Sequence, residues 1–177
     1  MKKLYGEQRR QILLEKIKSS LTPLTGSELA AIANVSRQVI VSDMTLLKAK
    51  GEPILATSQG YLYLNDRANE DVSRTIACLH EKEDTELELK VLVNAGVTVK
   101  DVIVEHPVYG ELIAGIHVSN EQQVEQFMQR VRDTGASYLL ELTGGYHLHT
   151  ITAANEAQLD RAVAAMQEHG FLLEEAE

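Results

Sequence analysis

The sequence predicts an α+β protein in two parts: a basic head of three helices and a short hairpin over residues 1–65, and an acidic sheet-and-helix body over residues 66–177. Three observations carry this expectation. Charge changes sign near the Asn65-Asp66 step, with nine Lys+Arg against five Asp+Glu before it and eight against twenty-one after it. The head spaces its apolar residues helically between capping signals. The body repeats a pattern of strand-like runs followed by an amphipathic helix.

At 177 residues the chain is long enough for one domain or two small ones, and 44% hydrophobic residues give an ordinary globular balance. No apolar run approaches the roughly 20 residues of a membrane helix, and Met1-Lys2-Lys3 leads into Leu4-Tyr5-Gly6-Glu7 instead of an apolar signal core, so a soluble, cytoplasmic protein is expected. A single cysteine, Cys78, excludes an internal disulfide and a zinc finger. A P-loop, a dinucleotide fingerprint, a nucleophile elbow and a zincin motif are all absent from the sequence.

In the head, Ile12, Leu13 and Ile17 lie at helical spacing among Arg9, Arg10, Lys16 and Lys18, and Pro23 ends this first helix. Thr25-Gly26-Ser27-Glu28 carries the capping-box pattern for a second, short helix that breaks at Asn34-Val35. Ser36 is an N-cap for a third, in which Ile40, Met44 and Leu47 recur at i, i+4 and i+7 until Gly51-Glu52-Pro53. Turning those three inward leaves Ser36, Arg37, Gln38, Val41, Ser42 and Thr45 as candidate readers of a DNA major groove, with Asp43 toward the flank. Ile54-Leu55-Ala56 and Tyr61-Leu62-Tyr63-Leu64 around Ser58-Gln59-Gly60 predict two short strands, which complete a winged helix-turn-helix. The polar stretch Leu64–Asn69 is expected to be a linker.

The body should open with a strand at Thr75–Leu79 and a helix at Thr85–Ala95. Two units then align at a constant offset of thirty-five: Asn120 with Asn155, Gln123 with Gln158, Val124 with Leu159, Met128 with Val163 and Gly135 with Gly170. Each Asn with its Gln three residues on forms a capping pair, and each Gly sits where a C-cap belongs. Strands are expected at Thr98–His106 and Leu112–Val118 before the first of these helices. Tyr138–Leu142 and Tyr146–Thr152 are expected before the second. The result is an antiparallel sheet with helices on one face.

His147-Leu148-His149 is the sharpest chemical signal. On a strand, residues i and i+2 share a face, so both imidazoles converge at a spacing suited to one divalent ion. His80 ends the preceding strand, and Glu88 shares a helix face with Val91, Leu92 and Ala95, where a carboxylate needs a partner. His80, Glu88, His147 and His149 would make a nitrogen-and-oxygen site open to Zn²⁺, Ni²⁺, Fe²⁺ or Mn²⁺, with Asp84 and Glu86 as substitutes for Glu88 if the helix is rotated. His106, before Pro107-Val108-Tyr109-Gly110, ends a strand where it could meet a ligand or support the site. His117 and His169 read as structural or surface residues, and Cys78 as a buried strand residue.

The segment Ser36–Leu47 resembles the winged helix of the biotin-repressor type. The motifs at His80, His106-Pro107-Val108-Tyr109-Gly110 and Gly144-Gly145-Tyr146-His147-Leu148-His149-Thr150 resemble the three-histidine domain of bacterial niacin-responsive transcriptional repressors. This second resemblance implies repression of genes for niacin uptake and NAD synthesis, with nicotinic acid as co-repressor and a transition metal, nickel or zinc foremost, in residues 66–177. It implies His80, Glu88, His147 and His149 as metal ligands, and His106 with Tyr109 as effector contacts. A homodimer on a double-stranded DNA operator, with no membrane partner, is expected. The alternatives are a metalloenzyme fused to a DNA-binding head and a body that only dimerises.

Overall fold

A computed structural model describes residues 6–64 and 71–173 of the chain. Two compact units divide it, Met1–Arg67 and Ala68–Glu177. Residues 65–69 of the expected linker lie outside the described residues.

The first unit holds α1 (Gly6–Ser19), α2 (Gly26–Ala33), α3 (Arg37–Ala49), β1 (Ile54–Thr57) and β2 (Gly60–Tyr63). Thr25 Oγ1 accepts the Glu28 N–H while the Glu28 carboxylate accepts the Thr25 N–H, so the capping box starts α2 as its sequence requires. Asn34, at a φ of 51°, closes α2 in the left-handed region and turns the chain into α3, whose Ser36 Oγ accepts the Val39 N–H. Leu13, Leu14, Ile17, Leu29, Ile40, Met44, Leu47 and Ile54 pack as one core. β1 and β2 pair antiparallel as the wing. Gly60 is required there, because a Cβ would stand 2.5 Å from the Leu24 carbonyl oxygen.

One expectation for this unit is overturned: Asp43 does not lie on the flank. It is buried, where its carboxylate accepts from Arg9 Nε at 2.6 Å and pairs with Arg10 Nη1 at 3.5 Å. A carboxylate cannot stay ionised in a core without partners, and α1 supplies two. Two basic residues of the head are thereby committed to fastening α1 to α3.

The second unit runs β3 (Val72–Leu79), α4 (Thr85–Asn94), β4 (Thr98–His106), β5 (Gly110–Val118), α5 (Glu121–Thr134), a 3-10 turn (Leu139–Thr143), β6 (Tyr146–Ala153) and α6 (Glu156–Glu168). The sheet order is β3-β6-β4-β5, with every pair antiparallel. Ile76, Val99, Ile116 and Ile151 of the sheet pack against Leu89, Leu92, Val124, Met128, Leu159 and Met166 of the three helices. The repeat acts as its spacing predicts: Asn120 and Asn155 each accept the N–H of the Gln three residues on, at 3.0 Å. Gln123 and Gln158 accept in return from the Ser119 and Ala154 N–H groups.

The expected strand at Tyr138–Leu142 is absent; the segment forms the 3-10 turn. Leu139 and Leu140 break the alternation a strand needs, and only Leu140 is buried. The Glu141 carboxylate accepts the Tyr138 N–H, and Gly144 and Gly145, both at positive φ, turn the chain directly into β6. The second copy of the repeat is therefore turn, strand, helix.

Candidate metal centre and nucleic-acid interface

β6 carries the centre. Its inward face presents His147 and His149, while Leu148 between them turns to the other face. In the β3–β6 register His147 stands opposite Cys78 and His149 opposite Ile76, and His80 follows directly after the end of β3. From the helix layer α4 lowers Glu88, fully buried, onto these side chains. Three imidazole Nε2 atoms surround its carboxylate: His80 at 2.9 Å, His147 at 3.1 Å and His149 at 3.3 Å. The four residues read from the sequence as a cluster are thus brought together, with Glu88 in the expected register.

Each imidazole is oriented from behind by a backbone carbonyl. His80 Nδ1–H donates to Glu81 O at 2.8 Å, His147 Nδ1–H to Gly145 O at 2.8 Å, and His149 Nδ1–H to Asp101 O at 2.6 Å. A carbonyl only accepts, so every Nδ1 keeps its proton, and in the neutral ring every Nε2 points a lone pair at Glu88. An anion facing three lone pairs needs a cation or protons between them. Consistent with that need, His80 Nε2, His149 Nε2 and Glu88 Oε2 are buried without a properly aligned hydrogen bond.

Electrostatics follow from this geometry. Burial alone would push the Glu88 carboxyl up; the charge of His149, the hydrogen bond of His147 and the close approach of the His149 and His80 nitrogens outweigh it and hold the group well below the ordinary carboxylate range. Burial alone would lower His80 and His149, yet Glu88 raises both above the usual imidazole value. Without an ion, the centre gathers protons. Burial pushes the Cys78 thiol far up, and neighbouring Glu88 adds to that shift.

Two backbone features shape the site. Between Val99 and Ile103 the β4–β6 register shifts, and at this irregularity Asp101 turns its carbonyl to His149 while its Oδ1 accepts the Thr150 N–H. Gly145, at a φ of 95°, passes so close beneath His80 that a Cβ would lie 2.5 Å from the His80 carbonyl oxygen. The double glycine hinted at Gly145, but Asp101 had no signal in sequence.

A cavity of about 210 Å³ opens against the cluster, with Glu88, His147 and His149 in its wall. Leu89, Val102, Ile116, Phe127, Tyr138 and Leu140 make it largely apolar, and no Lys or Arg is among its lining residues. Thr85 contributes a buried hydroxyl that has no hydrogen-bond partner. That residue read in sequence only as a helix start.

His106 and Tyr109 are not brought to the cavity. They lie at the β4–β5 turn, where the Val108 and Tyr109 N–H groups donate to His106 Nδ1 at 3.2 and 3.3 Å and the two rings meet at a tilt of 31° with centroids 5.0 Å apart. The histidine is used to close its own turn, so this geometry gives the expected effector contacts no support. His117 takes a φ of 54° opposite the β4 irregularity, and His169 caps α6 with Nδ1–H donating to Ala165 O.

In the first unit Ser36, Arg37, Gln38, Val41, Ser42 and Thr45 are all exposed along one side of α3, opposite Ile40, Met44 and Leu47. Ser36 is also the N-cap, and Thr45 Oγ1 donates to Val41 O. Arg37 folds along Gly26 at the start of α2, leaving its guanidinium on the surface. The two helices and the turn between them present a single polar face of the kind that enters a major groove.

Comparisons with known proteins give this architecture its class. Residues 9–62 match an HTH domain and residues 73–175 match the 3H domain. The chain is 53% identical over 175 residues to the transcription repressor NadR of Bacillus subtilis, covering 98% of this chain and 97% of that one. It is 39% identical over 173 residues to the probable transcription repressor NiaR of Thermotoga maritima, covering 98% of each. Fold and relatives together define a DNA-binding transcription repressor and not an enzyme. More specifically, the chain belongs to the niacin-responsive transcriptional repressor family. Among the described residues no helix is long and apolar enough to cross a membrane.

Proposed function

We propose that this repressor is a cytoplasmic, homodimeric sensor that binds its operator when nicotinic acid occupies the cavity beside a divalent metal held by His80, Glu88, His147 and His149, and so silences genes of niacin uptake and NAD synthesis. The observation that carries the reading is the convergence of three carbonyl-oriented Nε2 atoms on one buried carboxylate in the wall of an apolar cavity. The donor set fits an ion such as nickel or zinc: nitrogen and oxygen ligands, already oriented, with orphaned atoms turned inward.

The cavity supports a small aromatic acid. Its volume lies below the roughly 300–1,000 Å³ of clefts for drug-sized ligands, which suits a single ring. Apolar side chains would hold that ring, and Thr85 Oγ1 offers a hydrogen bond. With no cationic side chain in the lining, an anionic ligand depends on the centre itself. The metal supplies, when bound, an electrophile for a carboxylate or a ring nitrogen. Binding would then shift a dimer toward the spacing at which two copies of α3 reach grooves about 34 Å apart.

The test is binding to the protein's own upstream DNA, titrated with nicotinic acid in metal-loaded and chelator-treated protein. Tightening by nicotinic acid that vanishes on chelation is expected. Affinity indifferent to both additions would refute the switch and favour a body that only dimerises.

A further inference from the structure

The set of three histidines and one glutamate leaves one buried nucleophile beside the centre unused. Cys78 is 1% exposed and stands on the inward face of β3, directly opposite His147 and two residues before His80. Its Sγ, a Glu88 carboxylate oxygen and a His147 ring nitrogen all lie within 4.8 Å of one another. Metal–ligand bonds of about 2.0–2.3 Å let one ion reach three donors so placed as the side chains close on it. The neighbouring atoms Glu88 Oε2, His80 Nε2 and His149 Nε2 are buried and lack aligned partners, so the donors beside the thiol are themselves waiting for an acceptor of lone pairs.

We propose that Cys78 is a further ligand of the metal centre, binding as a thiolate on the Glu88–His147 side. This rests on the metal reading above and deepens it. On coordination the S–H bond breaks heterolytically: the sulfur keeps the electron pair and donates it to the ion, and the proton passes to solvent. A thiolate among imidazoles and one carboxylate makes the site softer, which favours Zn²⁺ over Mn²⁺ or Mg²⁺. Packing alone would be served by any small apolar side chain. Sulfur at this register position is what gives β3 a donor of its own, two residues before His80.

X-ray absorption on the zinc-loaded, full-length protein tests this directly. Cys78 is the only cysteine in the chain, so a thiolate bond has one source. The wild type is expected to show one sulfur at about 2.3 Å beside nitrogen and oxygen at about 2.0–2.2 Å. The Cys78→Ser variant should keep one zinc per chain and lose the sulfur, and the cobalt-loaded pair should differ by a near-ultraviolet thiolate-to-cobalt band. One zinc per chain with only nitrogen and oxygen neighbours in the wild type overturns the role of Cys78 while leaving the metal centre standing. Failure to retain zinc at all overturns both. If the serine variant does not fold, the wild-type spectrum still decides.

Discussion

Glu88→Gln separates the two jobs of the central carboxylate. Gln keeps its shape but replaces the charge with an NH2 group that donates and a carbonyl that accepts. In metal-free protein, above the raised values of His80 and His149, proton loss turns the Nε2 lone pairs of these two rings, at 2.9 and 3.3 Å, toward an anion. The Gln amide can instead donate to one Nε2, a hydrogen bond worth about 0.5–1.5 kcal/mol. Above those values the apo variant should therefore match or exceed the apo wild type, by up to several degrees at about 4–8 °C per kcal/mol for a domain of this size. Zinc reverses the order. At a free concentration one hundred times its dissociation constant, a ligand adds about 2.7 kcal/mol to the wild type, on the order of 10–20 °C. Gln should lose most of that gain, since an uncharged amide is a poor ligand. Thermal unfolding by circular dichroism on the alkaline side of those values, with zinc and with chelator, reads both halves. A Gln variant stabilised by zinc as strongly as the wild type, or an apo variant melting far below the apo wild type, would refute the reasoning.

The same electrostatics set a pH dependence. His80 and His149 are raised above their unfolded value, so their contribution to apo stability is full below about pH 6.5 and is lost as pH rises through the folded values. Protons compete with metal for the same Nε2 atoms, so zinc affinity should rise over that interval; melts and equilibrium dialysis from pH 6 to 8 should give opposite slopes for apo and loaded protein. Gly145→Ala places a Cβ 2.5 Å from the His80 carbonyl oxygen at a left-handed backbone position. It should cost at least about 1–2 kcal/mol from that conformation alone and, by moving the carbonyl that orients His147, weaken zinc binding about tenfold or more in dialysis. Arg37→Ala should weaken operator binding by about 1–3 kcal/mol and relax sequence preference in fluorescence anisotropy, while melts and zinc content stay unchanged.

What the sequence made legible was periodic. The i, i+2 spacing of His147 and His149, the i, i+4, i+7 spacing of Ile40, Met44 and Leu47, and the Asn–Gln caps at offset thirty-five each turn a local rule into a face or a terminus. Glu88 was legible because a carboxylate on an apolar helix face demands a partner. What escaped depends on backbone placed by distant residues. The Asp101 carbonyl meets His149 only because β4 slips in register against β6, and the buried Asp43 meets Arg9 and Arg10 only because α1 crosses α3. Tyr138–Leu142 misled because it stands where the first repeat has its leading strand, whereas the turn is fixed by one carboxylate and two glycines.

Charge gives the last link between the proposed centre and the proposed effector. Residues 66–177 carry an excess of thirteen negative charges, so this unit's long-range field repels a free carboxylate, and no cationic side chain lines the cavity to compensate. Any attraction must arise at the centre, within a few ångströms and away from bulk water. In the proposed centre Glu88 would cancel one of the two charges of a divalent ion, and Cys78 as thiolate the other. A centre made neutral in this way cannot rank ligands by charge. It would rank them by donor atom and shape, so that under the proposed function an aromatic nitrogen in a tight apolar cavity would outcompete simple carboxylates. An anion sensor built from anionic residues, as proposed, would then owe its selectivity to that feature.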